Sequence, residues 1–167
     1  MRSNNIPIHT KDDFSNMREA GSLAAHVLDS LYEKIIPGIS TQEINDICHN
    51  IIINNNAIPA PLNYKGFPKS VCTSVNHVVC HGIPSETKIL SEGDIINVDV
   101  TVILNGWYGD SSRMYVAGKT NNKNYNFLKL TYDSLLLGIN EAKPGNHIGD
   151  IGNKIQKLAE DNGYSVV

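Results

Sequence analysis

The residues with the clearest capacity for chemistry are Asp99 and Asp110, separated by ten residues in the stretch that runs from Gly93 to Gly118. Between them lies Asn105-Gly106, flanked on each side by β-branched and aromatic residues, which is the strongest short-range signal for a two-residue hairpin turn. With that turn, Leu104 faces Trp107, Val102 faces Gly109, Thr101 faces Asp110 and Asp99 faces Ser112. Side chains alternate between the faces of a strand, so Asp99, Thr101, Asp110 and Ser112 share one face. The other face of the first strand carries Ile96, Val98, Val100, Val102 and Leu104, an apolar row that requires a core beneath it. Asp99 and Asp110 become diagonal cross-strand neighbours, with Cβ atoms roughly 5 to 8 Å apart. Two carboxylates that close repel unless a cation lies between them.

Divalent ions such as Mn²⁺, Fe²⁺, Co²⁺ or Zn²⁺ accept carboxylate oxygens, and a pair of ions about 3.5 to 4 Å apart fits between bridging aspartates. The sharp reading is therefore a dinuclear hydrolase site. The bland alternative is a pair of solvated turn residues, since Asp is common near turns and mostly exposed. A one-residue change of loop length would send the two carboxylates to opposite faces.

Positioning such a pair takes a sheet and a core. Met17, Ala20, Ala24, Val27, Leu28, Leu31 and Ile35 recur at helical spacing and predict a helix from about Lys11 to Ile36, stopped by Pro37-Gly38. Ser40-Thr-Gln-Glu43 reads as a capping box opening a second helix, with Ile44, Ile47, Cys48, Ile51 and Ile52 on one face, which runs out at residues 54–56. Strand-like sequence follows from Ser70 to Cys80. The same helix-Pro-Gly-helix grammar then returns. Phe127, Thr131, Leu135, Ile139 and Ala142 mark a helix ended by Pro144-Gly145, and Ile148, Ile151, Ile155 and Leu158 mark another that ends at Asn162-Gly163. Pro37-Gly38 and Pro144-Gly145 lie 107 residues apart in the sequence, and the second helical unit is followed by only four residues where the first is followed by strands.

Composition excludes several classes. The 167 residues are 41% hydrophobic and 19% charged, with a formal net charge of −3, values ordinary for a globular domain and offering no strong pull on nucleic acid or anionic lipid. No stretch approaches 18 apolar residues, and the opening Met1-Arg-Ser-Asn-Asn-Ile-Pro-Ile8 lacks a signal core, so a cytoplasmic location is expected. Three cysteines, Cys48, Cys72 and Cys80, cannot all pair and match no zinc-knuckle spacing, so reduced thiols are expected, with Cys48 in the core. Among the histidines, His9, His26, His49 and His147 sit near the terminus, within helices or at a helix start; His77 and His81 are better placed for chemistry.

Tyr64-Lys-Gly-Phe67-Pro-Lys-Ser-Val-Cys72-Thr-Ser-Val-Asn76, followed by His77-Val-Val-Cys-His81-Gly-Ile-Pro84 and the Asp-x₁₀-Asp hairpin, resembles the type I methionine aminopeptidases over essentially residues 10 to 167. The resemblance implies an α+β pita-bread fold, an antiparallel sheet covered by helices with pseudo-twofold symmetry, which accounts for the repeat. It implies two divalent metal ions, with Asp99 and Asp110 as ligands and a histidine and two glutamates from a C-terminal half completing the set. The expected organisation is one catalytic-type domain over 1–167, stopping short of that half and inactive in isolation.

By the same resemblance His81 contacts the substrate near the scissile bond as the catalytic histidine, Tyr64, Phe67 and Cys72 line the methionine pocket, and Thr101 orients the water between the metals. Asn76 and Val78 match a segment that binds a monovalent cation. The implied activity is removal of the initiator methionine from nascent polypeptides, with a family-like monomer and ribosome association as further implications. Pro61, where relatives often have a small or thiol residue, and Phe67, which lacks a tyrosine hydroxyl, bear on fine specificity. A non-catalytic protein-binding module of the same fold is the alternative; a proline-directed relative is disfavoured by the Pro68-Lys-Ser-Val-Cys72 phrase.

Overall fold

The computed structural model describes residues 6–167. Residues 1–5, which carry most of the stretch read as lacking a signal core, lie outside the described residues. Contacts divide the chain into two compact units, Met1–Lys119 and Thr120–Val167. The first contains helix α1 (Lys11–Asp29), helix α2 (Thr41–Asn54), a two-residue strand β1 (Ile58–Pro59), a 3₁₀ turn at Tyr64–Gly66, and strands β2 (Cys72–Val75), β3 (Ile95–Leu104) and β4 (Trp107–Val116). The second contains α3 (Asn122–Glu141) and α4 (Ile148–Asp161).

β3 is the centre of the first unit. It pairs antiparallel with β1, β2 and β4, and Ile96, Val98, Val100 and Val102 are completely buried along one face. Against them pack Ala24, Val27, Leu28 and Leu31 of the α1 region together with Ile44, Cys48 and Ile52 of α2. Burial of that continuous apolar row is the main force holding sheet to helices, at roughly 1.5 to 3 kcal/mol for each aliphatic side chain. α1 lies so close to β4 that a Cβ placed on Gly109 would stand 2.1 Å from the Ala20 carbonyl oxygen. Only glycine admits that approach, and its φ is not the reason, since Gly109 is not among the positive-φ residues.

Both helix starts of the first unit are explained locally. Thr10 and Ser40 each accept from the backbone N–H three residues on, while Asp13 and Glu43 accept from the capping residues in return. α1 ends earlier than its apolar period suggests, at Asp29 instead of Ile36. The Ser30 hydroxyl donates to the Val27 carbonyl at 2.6 Å, the Tyr115 hydroxyl donates to the Leu28 carbonyl at 2.6 Å, and Arg113 holds Asp29 at 2.6 Å. The two hydroxyls satisfy carbonyls of the last turn, and Arg113 anchors the side chain of its last residue. Tight turns then carry Leu31 and Ile35 into the core, which is why the period persists beyond the helix.

The strand expected from Ser70 to Cys80 is likewise shorter, reduced to Cys72–Val75. Asn76 takes a left-handed backbone at φ 53° and begins a turn closed by the Val78 N–H on the Val75 carbonyl at 3.1 Å.

The two Pro-Gly junctions are locally alike. Gly38 and Gly145 have φ of 97° and 94°, and each is followed by a helix whose third residue, Glu43 or Asp150, accepts from the capping residue's N–H at 2.8 or 2.7 Å. α3 and α4 pack through Gly138, where Ile151 and Ile155 fill the space a side chain would occupy. No helix of the described residues is long and apolar enough to cross a membrane.

Truncating Ile96→Ala is expected to cost about 2 to 5 kcal/mol through an unfilled cavity, and Gly109→Ala about 1 to 3 kcal/mol by forcing α1 off β4. Urea unfolding followed by circular dichroism measures both, against an exposed control such as Lys154→Ala that stays within about 0.5 kcal/mol of the parent.

Candidate metal centre

The hairpin has the register that its turn demands. Leu104 pairs with Trp107, Val102 with Gly109, Thr101 with Asp110 and Asp99 with Ser112. Asn105 and Gly106 both adopt positive φ, at 52° and 82°, the pair of left-handed residues a type I′ turn needs. Asp99, Thr101 and Asp110 therefore share the face opposite the buried valines. β2 extends this face from the other side of β3, because Cys72 is registered on Asp99 and Ser74 on Asn97.

Each carboxylate has a distinct environment. The Thr101 hydroxyl donates to Asp110 at 3.0 Å, which aims that carboxylate from the neighbouring strand. Asp99 is half-buried, and its pKa is raised from its ordinary value, first by burial and then by the negative charge of Asp110, against an opposing pull from His81. Among the described residues, none of the ion pairs between acidic and basic side chains includes Asp99 or Asp110. Two converging carboxylates held at a core's edge without a cationic side chain fit a divalent cation. They are not sufficient by themselves, since such an ion takes four or more ligands, and no group of three His, Cys, Asp or Glu among the described residues is arranged to hold one.

His81 lies on the loop that follows β2, exposed and with a left-handed backbone at φ 55°, a conformation that costs a non-glycine residue on the order of 1 to 3 kcal/mol. Its charge opposes the rise that burial and Asp110 impose on Asp99. Cys72 is 8% exposed, and its thiol is pushed up to about 11, by burial first and then by Asp99, Cys80 and Asp110. Cys48 is core, as its helical position implies, and burial raises it to about 12. All three cysteines are free thiols.

The expected pocket residues are more scattered. Tyr64 is 64% exposed on its 3₁₀ turn, with the Lys65 ammonium 5.4 Å from the ring centre, and Phe67 is half-buried at the end of that turn. The Asn76 side chain is engaged within the fold, donating to Asp94 at 2.8 Å and accepting from the Ile95 N–H at 3.1 Å. Val78, beside it, is partly exposed.

Sequence reasoning passed over a polar brace behind β2. His49 of α2 hydrogen-bonds the buried Ser70 hydroxyl at 2.8 Å, and Asn45 accepts the Ser70 N–H at 2.9 Å. Its signal was an Asn and a His four residues apart, at Asn45 and His49, on an otherwise apolar helix face.

The profile of metallopeptidase family M24 matches residues 15–167. The chain belongs to that family. A methionine aminopeptidase of Rickettsia prowazekii is 57% identical over 162 residues, covering 97% of this chain and 62% of the relative. A crystal structure of methionine aminopeptidase from the same species superposes with a TM-score of 0.94 over 97% of this chain and 65% of that one. The Thermotoga maritima enzyme superposes at 0.93 with 32% identity, over the same shares of the two chains. A prolidase from Pyrococcus furiosus, 20% identical with a TM-score of 0.79, shares the fold. The M24 chain thus has the pita-bread α+β architecture, and it spans about 62% of the length of the curated relatives it matches.

Two outcomes follow for the metal-free M24 chain. Because the folded pKa of Asp99 is raised, its contribution to stability is full in acid and is lost as pH rises through the carboxylate range. Asp99→Asn is therefore expected to stabilise the chain at pH 7, with the gain shrinking toward pH 3.5, as read by denaturant midpoints. Iodoacetamide at pH 8 is expected to label exposed Cys80 at least tenfold faster than Cys72 or Cys48, by peptide mass mapping, because thiolate is the reacting form.

Proposed function

We propose that this M24 chain is the metal-aspartate portion of a methionine aminopeptidase that removes the initiator methionine from nascent polypeptides. The observation that carries the reading is the pairing of Thr101 with Asp110 and Asp99 with Ser112, which sets two carboxylates on one face of the hairpin. The names of the relatives support the choice of reaction.

Asp99 and Asp110 are the proposed ligands of two divalent ions, drawn from Co²⁺, Mn²⁺, Fe²⁺ and Zn²⁺. Bound there, the ions would supply Lewis-acid polarisation of the scissile carbonyl and activation of water. Thr101 holds the Asp110 carboxylate through its hydroxyl and is the group assigned to orient that water. His81 hydrogen-bonds the substrate at the scissile peptide as charge develops. Tyr64, Phe67 and Cys72 form the apolar wall for the methionine side chain, where a neutral thiol suits a thioether. Asn76 and Val78 are the proposed seat of a monovalent cation. The partners are protein N-termini emerging at the ribosome, the location is cytoplasmic, and the working unit is a monomer.

Two carboxylates leave most of each ion's coordination unfilled, so the 167 residues alone are expected to be inactive. Hydrolysis of Met-Ala-Ser with Mn²⁺ or Co²⁺ tests this: brisk turnover by the isolated chain would refute the clause on inactivity. Complemented with the remaining portion of the Rickettsia prowazekii relative, the chain is expected to hydrolyse the tripeptide. There, Asp99→Asn or Asp110→Asn would lower kcat/KM by on the order of 10²-fold or more, and His81→Ala by roughly 10² to 10⁴-fold. Calorimetric titration showing no stoichiometric Mn²⁺ in the complemented protein would favour a non-catalytic binding module instead.

A further inference from the structure

The loop that carries His81 does not return along β2 in simple register. The turn joining the Val75 carbonyl to the Val78 N–H would, if the ladder continued, bring Cys80 opposite Thr73. The residue found there is Gly82, whose carbonyl accepts the Thr73 N–H at 2.8 Å. The returning segment therefore carries two more residues than a regular two-residue hairpin would, and His81, at φ 55°, immediately precedes the residue that meets β2.

Gly82 locks the far end of that loop. Its N–H donates to the Ser74 hydroxyl at 3.1 Å, while its carbonyl takes the Thr73 N–H, so both of its backbone groups are tied to β2. A Cβ on Gly82 would lie 2.0 Å from the Thr73 carbonyl oxygen, 2.7 Å from the Thr73 carbonyl carbon and 3.0 Å from the Ser74 Cα. All three atoms are backbone of a strand paired to β3, so the strand cannot yield and the loop must. Gly82 is not among the positive-φ residues; glycine is required for the close approach, not for its backbone angles. Ser74 is buried and lies on the face that carries Asp99, two residues from Cys72, which is paired with Asp99.

We propose that Gly82 and Ser74 are positioning residues that hold His81 in its left-handed conformation and aim its imidazole at the aspartate pair. The proposal rests on the reading of His81 as the substrate-contacting histidine. Any side chain at position 82 lifts the loop by roughly 1 Å, a displacement that can cost on the order of 10²-fold in rate when it misplaces a catalytic group. Neither residue touches the carboxylates, so the metal affinity of Asp99 and Asp110 is untouched.

The test compares the parent chain with Gly82→Ala and Ser74→Ala by NMR, first without metal. Expected in both variants are faster exchange of the Thr73 or Gly82 amide, a shifted His81 ring resonance and loss of the positive-φ coupling at His81, with protection of the β3 and β4 amides retained. Unchanged His81 backbone coupling and ring shift in both variants overturns the proposal.

With Mn²⁺ added to the protein complemented as above, parent and variants alike, the midpoint for broadening of the Asp99 and Asp110 amides is expected to stay within about twofold of the parent, while relaxation at the His81 ring changes. A midpoint that moves tenfold in both variants overturns the separation of roles. Absence of broadening in the parent defeats the metal reading alone, and the metal-free data still decide the positioning claim. In the protein complemented as above, Gly82→Ala is expected to lower kcat about 100-fold with KM little changed, and to add nothing to His81→Ala. Additive losses overturn the proposal.

Discussion

The antiparallel register of β3 on β4 is the constraint on which the rest of this structure depends. Two left-handed residues, Asn105 and Gly106, close the turn, and ten consecutive pairs follow from Leu104–Trp107 to Ile95–Val116. A slip of one residue would exchange the faces, burying Asp99 and Thr101 and exposing Val98, Val100 and Val102. The cost of that exchange, several exposed aliphatic side chains and a buried carboxyl group, is what pins the acidic pair to one outer face. The apolar row is therefore the reason the carboxylates stay together.

Backbone contacts then refine what the register sets. At Gly109 the strand touches the α1 backbone at Ala20, and at Gly82 the His81 loop touches β2. Side chains on the helix behind β2 complete the support, with Asn45 and His49 holding Ser70 two residues before Cys72. The face bearing Asp99 is thus built from a sheet whose strands are fixed from behind. His81 and Tyr64 are both exposed. Such a division suits a site in which charged groups must not move while a substrate enters from the open side.

The electrostatic state of the site follows from the same arrangement. Burial and a like-charged neighbour both act against ionisation of Asp99, and the thiol of Cys72 is held neutral by the same two carboxylates and by its own burial. A divalent cation reverses the first effect, because it replaces repulsion between the carboxylates by attraction to a shared charge. Metal binding at the proposed pair would therefore be linked to the stability of the hairpin, since an ion held there would relieve the repulsion that the metal-free chain carries.

Much of this was legible in the residues. The Asn-Gly turn, the alternating valines and the two Ser/Thr-to-acid capping boxes are local signals, and local signals act on a chain whatever surrounds it. They gave the hairpin register, the shared face of Asp99, Thr101 and Asp110, the burial of Cys48 and the helix starts at Lys11 and Thr41. What the sequence could not carry were features set by distant atoms. α1 stops at Asp29 because Tyr115 and Arg113, some 85 residues later, occupy its last turn. β2 shrinks to four residues because the Asn76 side chain binds Asp94 and the Ile95 N–H across the sheet. The left-handed turn at His81 and the close approaches of Gly82 and Gly109 arise only when strands, loop and helix meet, since a glycine in the sequence does not say which backbone will lie against it.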